Sequence, residues 1–262
     1  MEWTVVAGLV AGLLVAVVTT PAGVSGAVFL LPVHLSVFGV PNPAVTPTNL
    51  LFNVVSGPGA LWRYRRDGAL RGRLARRLVA GTLPGVVAGA VIRVYALPGP
   101  GVFRLLIACL LLPLGLWLCL RTLSAPAGAA VHGRAEPSPA ALGGLALGVG
   151  VVGGVYGIGG GSLLGPVLAA RGMPMAQVAP AALATTFTTS VVGAAAYALL
   201  SVAESGAVAP DWWLGLACGA GGLVGGYLGA RLQPRLPERA LRLLLGTLAV
   251  ALGGLYAVQA AL

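Results

Sequence analysis

The sequence predicts an all-α polytopic membrane protein with two inverted repeats of about five helical pieces each, broken or re-entrant near the bilayer midplane. Of the 262 residues, 58% are hydrophobic and only 8% are charged, whereas soluble globular proteins have about 25% charged residues. Charge-free stretches cover residues 3–62, 137–170 and 172–203, and each exceeds the roughly 20 residues of a membrane-spanning helix. The two halves also resemble each other, and their equivalent loops carry opposite charge patterns.

An internal repeat relates the two halves. The segment Gly23–Gly26 has its counterpart in Gly157–Gly160, 134 residues later, and Tyr64 has its counterpart in Tyr197 at an offset of 133. Further matches are Pro32 with Pro166, Arg93 with Arg231 and Arg104 with Arg242. Their preserved order argues against chance. We therefore predict a first repeat over residues 1–120, a linker over 121–139 and a second, inverted repeat over 140–262.

Breaks at Gly, Pro and Arg divide each repeat into five helical pieces. In the first repeat these are Trp3–Thr20, Ala27–Phe38, Thr46–Arg63, Leu74–Arg93 and Val102–Leu120. In the second they are Ala141–Tyr156, Ser162–Ala170, Ala179–Leu200, Trp212–Arg231 and Arg239–Ala260. The second piece of each repeat is short, since about 12 residues give about 18 Å of helix against a hydrocarbon core of about 30 Å. It should form a broken or re-entrant hairpin surrounded by protein or water.

The arginines predict opposite orientations for the repeats. Seven lie within residues 63–77, whereas the equivalent loop Leu200–Trp213 has none and carries Glu204 and Asp211. Because basic residues concentrate on the cytoplasmic side, these loops should face opposite sides. If the chain crosses the membrane five times in each repeat, all arginines except Arg93 and Arg104 lie on the cytoplasmic side. We expect a multi-pass protein of the cell (inner) membrane with a cytoplasmic linker and both termini outside.

Inverted repeats with interrupted helices are typical of secondary transporters, which bind substrate at the repeat interface. Here the interruptions are Thr19–Gly26 and Gly153–Ser162, and the amides that start the next helices attract anions. No Asp, Glu or Arg falls in the middle of a predicted span, so a cation or proton relay is not indicated. The predicted substrate-binding residues are Gly23, Ser25, Gly26, Thr48, Asn49, Asn53, Gly157, Gly159, Gly160, Gly161, Ser162, Thr185, Thr186, Thr188 and Thr189.

The glycine-rich segments before Pro32 and Pro166 also carry a family resemblance. Gly157-Ile-Gly-Gly-Gly-Ser-Leu-Leu-Gly-Pro166 is the stronger form, and the first repeat departs from it with Val24-Ser25-Gly26-Ala27. Nearly the whole chain resembles the sulfite exporter TauE/SafE family of membrane permeases. The resemblance implies a transporter, not an enzyme, that exports small sulfur-containing anions such as sulfite, sulfoacetate and other sulfonates, and sometimes carboxylates.

Two alternatives remain at this point. An anion channel of the same architecture would show the same sequence features. An intramembrane serine protease would use Ser25 in Gly23-Val-Ser-Gly26 and a histidine on a neighbouring helix. His34 lies in the same hairpin and His132 in the linker, so neither is well placed as the base. His34 is instead a candidate titratable group for ion coupling.

The expected partners are the lipid bilayer and a small anion. The formal net charge of +10 would suit nucleic acid in a soluble protein, but these arginines border apolar segments, so no nucleic-acid partner is expected. Glycines spaced four apart, such as Gly81, Gly85 and Gly89, permit close helix packing or a homodimer. No metal or cofactor is predicted, because the three cysteines show no metal-ligand spacing.

Overall fold

The computed structural model describes residues 2–41, 44–70, 73–96, 100–124, 139–203 and 209–261. The predicted first repeat corresponds to α1 (Glu2–Thr19), α2 (Ala27–Ser36), α3 (Val45–Arg66), α4 (Arg73–Tyr95) and α5 (Pro100–Ser124), and α5 continues past its predicted end at residue 120. The second contains α6 (Pro139–Tyr156), α7 (Gly161–Ala170), α8 (Met175–Ala203), α9 (Trp212–Leu232) and α10 (Glu238–Ala261). These ranges contain no strand, and the all-α prediction is confirmed. Most of the predicted linker, residues 121–139, and Glu204 lie outside the described residues.

Long apolar helices make the chain a multi-pass membrane protein. Five stretches of the described helices are long and apolar enough to cross a membrane: Trp3–Ala22, Leu74–Tyr95, Met175–Val202, Trp212–Arg235 and Glu238–Gln259. Large apolar side chains such as Leu199 and Val202 project outward from them, as expected for a surface that contacts lipid. The short helices α2 and α7 have ten residues each, which gives about 15 Å of helix.

The helices pair across the two repeats. α1 packs against α9, and its counterpart α6 packs against α4. In the same way α3 contacts α9, α8 contacts α4, and the last helices α5 and α10 contact each other. Each of these contacts has its counterpart in the other repeat or joins two equivalent helices. The two repeats are therefore interleaved in one helix bundle.

Closely spaced glycines allow these pairs to form. A Cβ atom on Gly221 of α9 would collide with the carbonyl of Leu9 in α1, and one on Gly85 of α4 would collide with the carbonyl of Leu147 in α6. Small residues at such positions let helix backbones approach closely. These glycine faces are thus used within the chain, and a homodimer stays a prediction.

A pair of equivalent hydrogen bonds accompanies the repeat. The Tyr197 hydroxyl donates to the Gly154 carbonyl at 3.0 Å, and the Tyr64 hydroxyl donates to the Thr20 carbonyl at 3.5 Å. Gly154 and Thr20 are equivalent at the offset of 134, just as the tyrosines are at 133. In each repeat, the third helix is therefore tied to the chain near the end of the first.

Arg242 in α10 fastens the turn that follows α7. Its guanidinium is 6% exposed and donates to the carbonyls of Ala169 and Met173. It also pairs with Glu238 at 2.9 Å, and that carboxylate accepts the N–H of Met175 at 3.0 Å. One arginine and one glutamate thereby connect α10 to the end of α7 and the start of α8.

We expect Arg242→Gln to lower the free energy of unfolding by about 2–4 kcal/mol, because it leaves buried carbonyls without their charged donor. Arg239→Gln is the matched control, since Arg239 is exposed on the same helix and a surface change costs at most about 0.5 kcal/mol. Thermal unfolding in detergent would measure both. Equal melting temperatures for the two variants would contradict this role of Arg242.

Candidate functional site

Both predicted helix interruptions are present, and each contains a glycine in the left-handed region. Gly23 has φ of 72° and Gly157 has φ of 67°, a conformation that side chains disfavour. Each glycine also packs against the other repeat. A Cβ on Gly23 would lie 2.6 Å from Ala179 Cα in α8, and one on Gly157 would collide with the Thr46 carbonyl in α3. The local turn and the close approach both require glycine here.

The two interruptions contact each other. The Ser25 N–H donates to Ser162 Oγ at 3.3 Å, and the Ser162 hydroxyl donates to the Ile158 carbonyl at 2.8 Å. All three residues are buried. The broken segments, far apart in the sequence, therefore lie side by side within the helix bundle.

A small pocket lies beside the first interruption. Its volume is about 30 Å³, which is room for roughly two waters. Its polar lining residues are Thr20, Ser25, Asn53, Ser56 and Thr186. The remaining lining residues are Ala16, Gly26, Phe52, Gly57, Ala60, Leu183, Phe187, Gly222 and Gly226. None of these lining residues is charged.

Asn53 supplies an unpaired donor to this pocket. The side chain is 2% exposed, and its Oδ1 accepts the hydroxyl of Ser25. Ser25 Oγ in turn accepts the N–H of Ala27 at 3.1 Å. With Oδ1 held in this way, Asn53 Nδ2 has no hydrogen-bond partner among the described residues. Because a buried unpaired N–H is costly, the site favours a guest that accepts hydrogen bonds.

The start of α2 adds positive potential at the same place. Gly26 caps the helix and lines the pocket, and α2 begins at the next residue. A helix start carries partial positive charge, which favours anions. The N–H groups of Ala27, Val28 and Phe29 already donate within this turn, so the helix dipole would act on the anion here. The pocket therefore combines a carboxamide donor, hydroxyl groups and a helix start, all of which can stabilise a small anion.

Several other predicted binding residues in α3 and α8 have structural hydrogen bonds. Asn49 Nδ2 donates to the Ala27 carbonyl at 3.1 Å, and Thr48 Oγ1 accepts the N–H of Asp211 at 2.9 Å. In α8 three hydroxyls donate to the carbonyls four residues earlier: those of Thr185, Thr188 and Thr189. Such bonds are common for threonine inside helices.

The predicted residues of the second interruption form close contacts between helices. Gly159 and Gly161 face α8, and Gly160 faces Thr82 of α4. Of the fifteen predicted binding residues, the pocket brings together Ser25, Gly26, Asn53 and Thr186. The other predicted residues, including Gly23, Gly157 and Ser162, do not line the pocket.

His34 lies outside this pocket. Its imidazole is fully buried, its Nε2 is 3.6 Å from Cys218 Sγ, and it is adjacent to the Asn49 side chain. The hydroxyl of Ser25 is bonded instead to the carboxamide of Asn53. A carboxamide is not a general base, so the partner that the Ser25 hydroxyl has among the described residues is not the base that a serine nucleophile needs.

Sequence reasoning did not predict three features of this region. Thr20 and Ser56 line the pocket without having been assigned to it, although Ser56 follows Asn53 by three residues and therefore shares its helix face. Arg93, predicted at an outside loop, is 1% exposed in the last turn of α4 and lies close to Tyr156 and Tyr197. No pattern near Arg93 indicated that burial.

Comparison with known protein families decides the class of transporter. The family model of the sulfite exporter TauE/SafE matches residues 8–256, which include both repeats and both interruptions. The chain belongs to the TauE/SafE family. The resemblance carried by the glycine-rich segments is thereby confirmed, and TauE/SafE membership makes the chain a membrane transporter for sulfite-type anions. No curated protein and no solved structure matches the chain.

Proposed function

We propose that this TauE/SafE protein is a secondary transporter that exports small anions such as sulfite, sulfoacetate or related sulfonates by alternating access at the repeat interface. The observation that carries the proposal is the unpaired Nδ2 of Asn53, held in a pocket where α2 starts. Sulfite and sulfonate groups present three oxygen acceptors. These oxygens suit Asn53 Nδ2 and the hydroxyls of Ser56 and Thr186.

The neutral lining of the pocket suits transport. Hydrogen bonds to charged donors are about twice as strong as those between neutral groups, and a transporter must release its substrate as well as bind it. Every polar side chain that lines the pocket is a hydroxyl or a carboxamide. Binding by such groups and by a helix start favours an anion without holding it permanently.

The arginine distribution supports an inverted arrangement of the repeats. Arg63, Arg65 and Arg66 lie in the last turn of α3, and the equivalent end of α8 has no basic residue in its last turn. The proposed location is the inner membrane. In this arrangement the linker lies in the cytoplasm and both termini lie on the opposite side of the membrane.

His34 is the proposed coupling group. Its buried ring contacts Cys218 of α9 and is adjacent to Asn49 of α3. It lies on α2, whose N-cap residue Gly26 lines the pocket. A proton gained or lost there would act on α2, α3 and α9.

We expect Ser25→Ala to weaken sulfite transport by about tenfold or less and to leave it measurable. The change removes the hydroxyl that orients Asn53 and accepts the Ala27 N–H, and loss of one neutral hydrogen bond costs about 0.5–1.5 kcal/mol. Sulfite flux in proteoliposomes would measure the effect. Ser201→Ala is the control, because that exposed hydroxyl only bonds the Ala198 carbonyl.

Two outcomes would count against this interpretation of Ser25. Unchanged flux in Ser25→Ala would remove the pocket from the transport path. Peptide cleavage by the wild type that is lost with Ser25 would favour the protease instead.

A further inference from the structure

We infer that the protein has a second anion pocket, closed in this structure, that Gly160, Thr189 and Ser190 line at positions equivalent to the pocket beside α2. The inference rests on the proposed transport function and assigns that function a second half-site. We call the pocket lined by Gly26, Asn53 and Ser56 the first pocket and its counterpart the second pocket.

The repeat offset defines the second pocket. Ser56 and Gly57 of the first pocket correspond to Thr189 and Ser190 at an offset of 133. Gly26 corresponds to Gly160 at an offset of 134.

Asn53 and Thr186 correspond to each other at the same offset of 133, and both line the first pocket. The symmetry that generates the second pocket therefore exchanges these two residues. They belong to both pockets and lie between them.

A direct contact closes the second pocket. The Gly160 N–H donates to Thr189 Oγ1 at 3.1 Å. In the first repeat the equivalent residues, Gly26 and Ser56, both border open space. The two halves thus show the same site in two conformations, one open and one closed.

Buried polar groups of the two pockets have no partner within the described part of the chain. They are Asn53 Nδ2, which both pockets share, and Ser190 Oγ, which belongs to the second. Ser190 is fully buried, and its Oγ lies 3.1 Å from the point that a Cβ on Gly159 would occupy. Because burying an unpaired hydroxyl is costly, Ser190 is suited to donate to a ligand once the start of α7 moves away from α8.

During transport the two pockets exchange their open and closed conformations. The second pocket opens when Gly160 separates from Thr189, and the first closes when Gly26 approaches Ser56. The starts of α2 and α7 act as alternate gates. Asn53 and Thr186 remain within reach of the anion whichever pocket is open.

A cysteine at position 190 reports on the second pocket. The reporter is Ser190→Cys, in a protein where Cys109 and Cys119 are replaced by Ala and the buried Cys218 is kept. The probe is 2-sulfonatoethyl methanethiosulfonate, an anionic thiol reagent. We expect slow modification at rest and faster modification while sulfoacetate is transported, because this sulfonate, unlike sulfite, does not react with the reagent.

Thr189→Val tests the closing bond directly. This substitution removes the acceptor of the Gly160 N–H. In the absence of sulfite it should raise the modification rate of Ser190→Cys about two- to tenfold, because the loss of one hydrogen bond changes an equilibrium by about that factor. Thr247→Val is the control, because that exposed hydroxyl bonds only the Leu243 and Leu244 carbonyls of its own helix. The same two valine variants also provide a readout without the cysteine, since only Thr189→Val should change the saturation constant or turnover of sulfite flux.

Equal modification rates and equal fluxes in the two valine variants would overturn the second pocket. So would a Ser190→Cys modification rate that stays constant during sulfoacetate transport. Either result in a protein that still transports sulfite leaves the proposed function intact and removes this inference alone. If the wild type transports no sulfite but Thr189→Val still raises the modification rate at position 190, the proposed function is overturned and the second pocket is retained.

Discussion

Asn53→Asp is expected to reduce the affinity for sulfite by at least about a hundredfold. Aspartate matches asparagine in size, but it replaces the Nδ2 donor with an acceptor oxygen and adds a negative charge to the pocket. Two like charges about 4 Å apart repel by about 4 kcal/mol at an effective dielectric constant of about 20, which exceeds the free energy of a hundredfold change in affinity. Calorimetric titration of purified protein with sulfite would measure the loss.

Asn53→Ala separates the lost donor from the added charge. It removes the same carboxamide without introducing repulsion, so its affinity should fall by only about tenfold. If Asn53→Asp binds sulfite as tightly as the wild type and melts at the same temperature, the anion binds elsewhere.

Gly161→Ala is expected to destabilise the protein by about 3 kcal/mol or more. A Cβ at this position would collide with the carbonyl of Ala182 in α8 and lie 2.7 Å from Thr186 Oγ1. Overpacking in a tight core costs about 1–3 kcal/mol and occasionally more, and a buried backbone carbonyl cannot turn aside as a side chain can. Because Thr186 lines the first pocket, sulfite binding should weaken as well.

Gly148→Ala is the matched control for this change. Gly148 also lies within a helix of the second repeat, and nothing is within 4 Å of the Cβ that alanine would add. Its melting temperature should equal that of the wild type or exceed it slightly, since alanine favours helix. Similar melting temperatures for Gly161→Ala and Gly148→Ala would contradict the packing described for α7 and α8.

The helices could be predicted because their ends are local signals. Glycine, proline and arginine interrupt long apolar stretches, and the structure places the breaks where these residues occur. The start of α8 is an exception: it was predicted at Ala179, but the helix begins at Met175. Glu238 of α10 caps that start through the Met175 N–H, and a cap supplied by a distant helix has no local signature.

The candidate site could be predicted only in part. Ser25 and Gly26, which the sequence assigns to the first interruption, line the pocket. Asn49 and Asn53 are one helical turn apart and look alike in sequence, yet Asn49 bonds the Ala27 carbonyl while Nδ2 of Asn53 stays unpaired within the described residues. Which of the two meets a carbonyl depends on where α2 starts relative to α3, and that is a property of packing.

Buried arginines show the same limit. Arg93 was predicted at the end of a helix and Arg242 in the first turn of the last one, each next to a loop, but the structure buries both. The Arg242 guanidinium is satisfied by carbonyls near the end of α7, which lie about 70 residues earlier in the chain. Sequence charge patterns describe where arginines concentrate, and they do not reveal such distant partners.

Concentration-dependent sulfite flux in proteoliposomes tests the central claim, that this TauE/SafE protein moves anions through the first pocket by alternating access. The account predicts a flux that saturates with sulfite concentration in the wild type and falls steeply in Asn53→Asp at equal protein content. A flux that rises without saturation would contradict alternating access and indicate a channel, and full flux in Asn53→Asp would contradict the pocket.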